Sequence, residues 1–309
     1  MRAVAFTEFG AAPEVLELDV PEPGQGEVRV RVHAASVNGF DLAVAAGYLK
    51  GMMEHRFPVV LGKDFAGTVD AVGPGVTGYA PGERVFGVVT KAYLGDGSFA
   101  EFVTVPVAMG LGKLPESLTF TQGAALGLAG SAAVSAIDAC EPQAGQVVLV
   151  AGATGGVGTQ VAQLAAQGGA HVIATAHTEA ERGYVSDLGA AEVVDYAGDV
   201  AAAVLQAHPH GVDAVVHLAG DPAPLLGAVR DGGKFVSTLI GSPEQLPAQG
   251  PTVMAVLASP TSATLERLAQ NQATGRTSVS VQRVYSLQQA PAALADFAAG
   301  TLGKLVITT

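Results

Sequence analysis

Residues Val147-Val148-Leu149-Val150-Ala151-Gly152-Ala153-Thr154-Gly155-Gly156-Val157-Gly158 place an apolar run directly before a glycine-rich turn. The run reads as a buried strand, and residues 157–167 after the turn read as a helix. A bare backbone at Gly155 admits a pyrophosphate with no Cβ in the way, and Gly158 lets the helix pack close on the strand. The helix start offers unpaired N–H groups and a partial positive charge to phosphate oxygens. Ala153 stands at the first glycine position of the usual G-x-G-x-x-G pattern, so the match is partial. The strand–turn–helix setting favours a dinucleotide site over a βα turn without a ligand. Thr154, Gly155, Gly156 and Val157 are the expected phosphate contacts.

The next strand end bears on which dinucleotide. NAD-binding units usually place Asp or Glu about twenty residues on, to hold the ribose 2′-hydroxyl. Here the stretch is Ala174-Thr175-Ala176-His177-Thr178, with no acid. A carboxylate there would repel a 2′-phosphate, so Ala176 permits NADPH, and His177, Thr178 and Arg182 can donate to the phosphate. The bland alternative is that Arg182 is a solvated helix residue paired with Glu179; NADPH is the expected cofactor over NADH.

These groups need a scaffold, and the chain changes character to supply one. Up to about residue 119 it reads as short strands and turns. Residues 27–33 alternate, with Val28, Val30 and Val32 on one face and Glu27, Arg29, Arg31 and His33 on the other. Turn signals at Gly73-Pro74-Gly75, Pro81-Gly82 and Gly95-Asp96-Gly97 suggest a small β-barrel or sandwich. From 120 to 260 strands at 146–150, 171–175, 192–195, 213–218, 234–240 and 252–257 alternate with helices at 157–167, 180–188 and 199–207. That rhythm predicts a doubly wound parallel sheet. After 261 come a helix at 262–272, β-like 278–285, another helix and a strand at 304–307.

Bulk properties narrow the function classes. The 309 residues suit two domains, and 49% hydrophobic with 14% charged residues suits large buried cores. A net charge of −12 provides no basic patch for nucleic acid or anionic lipid. Cys140 is the only cysteine, so neither an internal disulfide nor a thiolate zinc cluster is expected. The opening residues lack a signal-peptide core, and the most apolar run, 124–137, is too short to span a bilayer. A cytoplasmic enzyme is expected.

Several short segments together resemble the medium-chain dehydrogenase/reductase superfamily, in its zinc-free, zeta-crystallin-like quinone oxidoreductase branch. They are Asn38-Gly39-Phe40-Asp41, Gly62-Lys63-Asp64-Phe65-Ala66-Gly67, Pro81-Gly82-Glu83-Arg84-Val85, Gly97-Ser98-Phe99-Ala100-Glu101, Gly155-Gly156-Val157-Gly158, Val193-Val194-Asp195-Tyr196 and Gly303-Lys304-Leu305-Val306-Ile307. Each is weak alone; their order and spacing are specific. The resemblance implies a GroES-like β-barrel catalytic domain, 1–119 with 261–309, and an inserted Rossmann domain, 120–260, with cofactor and substrate in the cleft between them. It implies Asn38 near the nicotinamide, Ser131 on the carboxamide side and Tyr196 against the 2′-phosphate. Relatives often carry a lysine where this chain has Ala180. Leu218, Ala219, Ile240 and Gly241, at later strand ends, complete the expected cofactor contacts.

Zinc-dependent members hold their metal with Cys, His and Cys; the matching positions here are Asn38, Lys63 and the Leu126-Gly127 stretch. These are not a zinc ligand set, so no metal centre is expected, and His208-Pro209-His210 reads as a solvated pair. Without a Lewis acid, reduction of a quinone or enone is favoured over alcohol chemistry, because the acceptor delocalises the incoming charge. Asn38, Tyr48 and Lys63 are the expected catalytic groups, with Tyr48 either a proton donor or a lid, while Asp41 and Asp64 read as structural. An enoyl-thioester reductase and a non-catalytic NADPH-binding protein are the alternatives. A homodimer formed through the edge of the Rossmann sheet, at 252–257, is the expected assembly.

Overall fold

The structure is a computed structural model describing residues 1–309. It divides into two compact units: Met1–Ser131 with Pro260–Gly275 and Val279–Thr309, and Ala132–Ser259 with Arg276–Ser278. The return of the chain to the first unit after residue 260 brings its last strand beside its third.

In the first unit, Glu27–Ser36 buries Val28, Val30 and Val32 and exposes Arg31, the period-two pattern of a half-buried strand. It lies inside a seven-stranded sheet ordered Leu111–Lys113, Arg84–Val88, Asp64–Val72, Glu27–Ser36, Lys304–Thr308, Val281–Ser286, and it also pairs Phe102–Pro106. The closing strand runs antiparallel to it, Val306 opposite Ser36. A smaller sheet of Glu14–Glu17, Arg2–Phe6 and Val59–Val60 completes the β-rich body around Phe6, Phe65, Phe99 and Leu111.

The second unit holds six parallel strands in the order Glu192–Val194, His171–Thr175, Val147–Ala151, Val212–His217, Val229–Ser237, Thr252–Ala255. The central strand shows why its sequence is continuously apolar. Val148 and Val150 enter one hydrophobic cluster while Leu149 and Ala151 enter another, so both faces are buried. The strand expected at 234–240 instead runs from Val229 to Ser237. It stops there because the Ser237 hydroxyl accepts hydrogen bonds from the Leu239 and Ile240 N–H groups, turning the chain into a loop.

Two expectations are corrected. The apolar run 124–137 lies within a 21-residue helix, Phe120–Cys140. By length and composition that helix could cross a membrane, yet 78% of its most apolar window is buried inside the protein. A helix apolar on every side is a core helix here. The first unit also extends to Ser131 rather than 119, because the early turns of this helix pack on the β-rich body. A Cβ on Gly123 would meet Leu114, and one on Gly130 would meet Leu268.

Candidate active site

In the first unit, Asn38 precedes the short helix Gly39–Ala45, and the Asp41 carboxylate accepts its N–H at 2.8 Å. The Asn38 amide is held on both sides. Its Nδ2 donates to Asp64 Oδ2 at 2.9 Å and to the Ser36 carbonyl at 3.3 Å, and its Oδ1 accepts from Lys304 Nζ at 2.6 Å. With a carboxylate on one side and an ammonium on the other, only this amide orientation satisfies both. Asp64, fully buried, also accepts from Ser36 Oγ and from the Leu128 N–H, each at 2.6 Å, and lies 3.5 Å from Lys304 Nζ.

Both acids therefore take the structural role expected of them. Both hydrogens of Asn38 are already committed, so it fixes the network and, in this geometry, has none to donate to substrate. In the sequence, Lys304 stands out only as part of the Gly303–Ile307 motif. A lysine heading an otherwise apolar strand, at a position that proves buried, was the available signal. Its second bond, to the Val37 carbonyl at 2.9 Å, ties the last strand to the segment preceding Asn38.

Burial dominates the electrostatics. It pushes the Asp41 carboxyl up to about 7, helped by the Asp64 charge and opposed by the Asn38 N–H, Lys304 and Lys63. Burial likewise lowers Lys63 and Lys304, with the two aspartates opposing. Two carboxyls, Asp41 and Asp64, thus stand beside two lysines, of which Lys63 is the less enclosed: its Nζ donates to the Val89 carbonyl at 2.8 Å and lies 4.9 Å from the centre of the Phe40 ring. Tyr48 stands apart, 76% exposed, just after Gly47 with its φ of +75°. Ser131 is buried and donates to the Gly127 carbonyl at 2.7 Å, leaving its oxygen lone pairs open.

These residues do not fit zinc. Where a metal would need donors there are two ammonium groups and an amide already bonded on both sides. At Gly127 even a Cβ would come within 2.5 Å of Asp64 Oδ1, so no ligating side chain has room.

In the second unit, Gly152 turns at φ +92°, and the helix Gly156–Gln167 begins after Gly155. A Cβ on Gly158 would fall 2.1 Å from the Gly152 carbonyl, so glycine is required for this close packing. A Cβ on Gly155 would meet nothing nearer than 3.7 Å; its bareness leaves open backbone where the first-turn N–H groups lack helical partners. Thr175 Oγ1 fixes the turn by accepting the Gly152 N–H at 2.9 Å. These features fit a pyrophosphate.

Around the neighbouring strand ends, His177 Nδ1 lies 2.8 Å from Asp195 Oδ1, Arg182 Nη2 lies 3.7 Å from Asp195 Oδ2, and the Tyr196 hydroxyl donates to Glu181 at 3.0 Å. Arg182 therefore pairs with Asp195, not Glu179. Glu181 also accepts the His177 and Thr178 N–H groups at 2.6 and 3.0 Å, as the acid of a capping box. The structure brings His177, Arg182 and Tyr196 together, but with two carboxylates that the reading of Ala176 alone missed. Ala176 itself is buried. At the ends of two further strands, Leu218 and Ala219 follow His217, and Ile240 and Gly241 sit in the loop beyond Ser237. His217, buried, bridges the two ends through Ser237 Oγ at 2.8 Å and the Gly220 carbonyl at 3.0 Å.

Comparison with known proteins places the chain. A family model described as an alcohol dehydrogenase GroES-like domain matches residues 24–116, and one described as a zinc-binding dehydrogenase matches residues 156–281. The chain belongs to the medium-chain dehydrogenase/reductase superfamily, in its quinone oxidoreductase branch. It is 36% identical over 231 residues to a quinone oxidoreductase of Rattus norvegicus, covering 71% of this chain and 66% of that protein. It is 33% identical over 230 residues to a chloroplast envelope quinone oxidoreductase homolog of Arabidopsis thaliana, covering 71% and 68%. The aligned stretch is thus about two thirds of these relatives' own length. The solved quinone oxidoreductase of Coxiella burnetii superposes with a TM-score of 0.91 at 27% identity, covering 100% of this chain and 99% of that one. The GroES-like and Rossmann folds follow from this membership. The zinc in the second family description is a property of that family's name; the side chains at Asn38, Lys63 and Gly127 do not offer it a site.

Proposed function

We propose that this chain is a zinc-independent, NADPH-dependent reductase of small quinones or enones. The observation that carries the reading is the Asn38–Lys304–Asp64 network with Lys63 beside it: a buried amide, two acids and two lysines stand where a metal would otherwise serve as the electrophile. Bound NADPH supplies hydride. The chain's own residues then have three tasks. Gly152, Gly155, Gly158 and the start of the Gly156–Gln167 helix hold the pyrophosphate. Asn38, clamped by Lys304 and Asp64, keeps the backbone before the Gly39–Ala45 helix in one conformation. Lys63, with two protons uncommitted, favours negative charge developing on a substrate oxygen. A quinone or enone suits such a site because its extended π-system spreads the added charge over several atoms.

The choice of NADPH rests on His177, Arg182 and Tyr196 lying together beside the buried, uncharged Ala176. A second reading, NADH, is favoured by the Asp195 and Glu181 carboxylates among those donors. A 2′-phosphate has to displace Asp195 from His177 and Arg182, whereas a ribose hydroxyl can be accepted by it. We also propose a homodimer through Thr252–Ala255, the edge strand of the six-stranded sheet.

Oxidation of NADPH and NADH, followed by absorbance with quinones, enones and enoyl-thioesters, tests the reading. Turnover of quinones or enones with NADPH, undiminished by EDTA, is expected. Turnover of thioesters alone would make the protein an enoyl-thioester reductase, and tight NADPH binding without turnover would make it a binding protein. Sedimentation as a monomer at micromolar concentration would remove the dimer.

A further inference from the structure

A different cluster sits at the opposite ends of the strands that carry the nucleotide residues. His171 begins His171–Thr175, Glu192 begins Glu192–Val194, and these strands are hydrogen-bonded neighbours. His208 closes the helix Val200–Ala207, its N–H bonded to the Val204 carbonyl. The three side chains converge. His171 Nε2 lies 2.5 Å from Glu192 Oε1, and His208 Nε2 lies 3.1 and 3.2 Å from the two oxygens of the same carboxylate. All the ligand-type atoms lie within 4.8 Å of one another. The adjacent His210, two residues from His208 in sequence, is not part of the group.

We propose that His171, Glu192 and His208 form a binding site for one divalent transition-metal ion of the zinc type, structural and separate from the nucleotide turn. Two imidazole nitrogens and one carboxylate are the donors that zinc, cobalt and nickel favour over magnesium or calcium. A zinc ion sits about 2.0–2.2 Å from each ligand, which sets tetrahedral ligands roughly 3.4 Å apart. The Nε2–oxygen separations at His208 already approach that spacing, and His171 needs only to withdraw by about an ångström. Both histidines present Nε2, the atom now spent on hydrogen bonds to the carboxylate, and a metal would replace those bonds without moving the backbone.

The backbone is also the reason the site is preformed: two ligands start adjacent parallel strands and the third ends a helix beside them. Exposures of 40%, 35% and 20% for the His171, Glu192 and His208 side chains leave the ion a route in and a fourth position for water.

The test is a zinc chloride titration of the whole, EDTA-stripped chain by calorimetry, with thermal melting alongside. One saturable zinc per chain in the micromolar range and a raised melting midpoint are expected, and magnesium should do neither. H171N and H208N should each weaken zinc binding about tenfold or more, while H210N leaves it unchanged. In the unaltered protein, zinc should shift the imidazole C–H resonances of two histidines, a readout that does not depend on a variant folding. Absence of saturable binding below about 1 mM, or unchanged binding in the H171N/H208N double variant, would leave the cluster a pair of hydrogen bonds and end the proposal.

Discussion

The two units keep their charged groups in opposite ways. In the β-rich unit, Asp41, Asp64 and Lys304 are buried and bonded almost entirely to one another or to Asn38, Ser36 and backbone. In the Rossmann unit, His177 and Asp195 beyond strand ends and Glu181 and Arg182 in the helix Glu179–Asp187 lie partly exposed, paired with each other or with Tyr196 in ways a ligand can replace. Buried charges resist rearrangement because each loses its hydration and depends on a few fixed partners. Exposed ones exchange partners at little cost, since such pairs contribute about 0–1 kcal/mol. Substitutions in the first set should therefore act on stability and its pH dependence. Those in the second should act on cofactor choice and leave folding almost untouched.

The largest effect should come from Lys304→Met. It leaves Asp64 facing Asn38 without a cation and removes the bonds to Val37 and Asn38. Breaking a buried pair by deleting one partner costs about 3–5 kcal/mol, so urea unfolding should show a loss in that range. A loss under about 1 kcal/mol would mean that the buried cluster behaves like an exposed one.

Asp41→Asn should have a smaller effect and the opposite sign. With its native pKa raised to about 7, Asp41 binds a proton in the folded protein at pH values where the unfolded chain has released it. Its contribution to stability is therefore present at low pH and declines as pH rises from about 4 to about 7. Asn keeps an oxygen to accept the Asn38 N–H and cannot ionise. The variant should be more stable than the wild type at pH 8, by an amount on the order of a few kcal/mol, and the two should converge near pH 4. Denaturation measured across that range checks it; parallel curves would show that Asp41 is ionised throughout.

In the Rossmann unit, Asp195→Asn should raise affinity for NADPH and lower it for NADH, while Arg182→Ala should weaken NADPH binding. A hydrogen bond to a charged group is worth about 1.5–3 kcal/mol, which is the expected loss for Arg182→Ala in calorimetry. Melting temperatures should hardly move, because these groups are exposed. If Asp195→Asn leaves the cofactor ratio unchanged, the 2′ end of the nucleotide lies elsewhere.

The same contrast separates what the sequence makes legible from what it hides. The Rossmann sheet reads well because its strands are continuous apolar runs whose ends are set by local turns, and Gly158 announces a close contact by its position alone. The helix Phe120–Cys140 was missed for the reverse reason: with apolar residues on every side it has no period to detect. Asn38 and Asp64 were found through motifs, but Lys304 bonds Asn38 from the far end of the chain, and no local pattern encodes such a partner. His171, Glu192 and His208 were likewise invisible as a group, since only the pairing of two strands brings them together.

Tyr48 sharpens the comparison, because it belongs to the β-rich unit yet is as exposed as any residue of the nucleotide end. After hydride reaches an enone, a proton must arrive at the product. Asp41 and Asp64 are enclosed in their network, and both Asn38 hydrogens are committed. The remaining donors are Lys63, the Tyr48 hydroxyl and water. A placed general acid contributes typically ~10²–10⁴ in rate, and only when it is held at the reacting atom. Tyr48, 76% exposed on a loop that turns at Gly47, is not held in that way, and water can reach wherever it reaches. Tyr48→Phe should therefore slow turnover by about tenfold or less, below the range for a placed acid, with NADPH affinity unchanged. A thousandfold fall would show that the loop closes over substrate and fixes the hydroxyl there, making Tyr48 the proton donor.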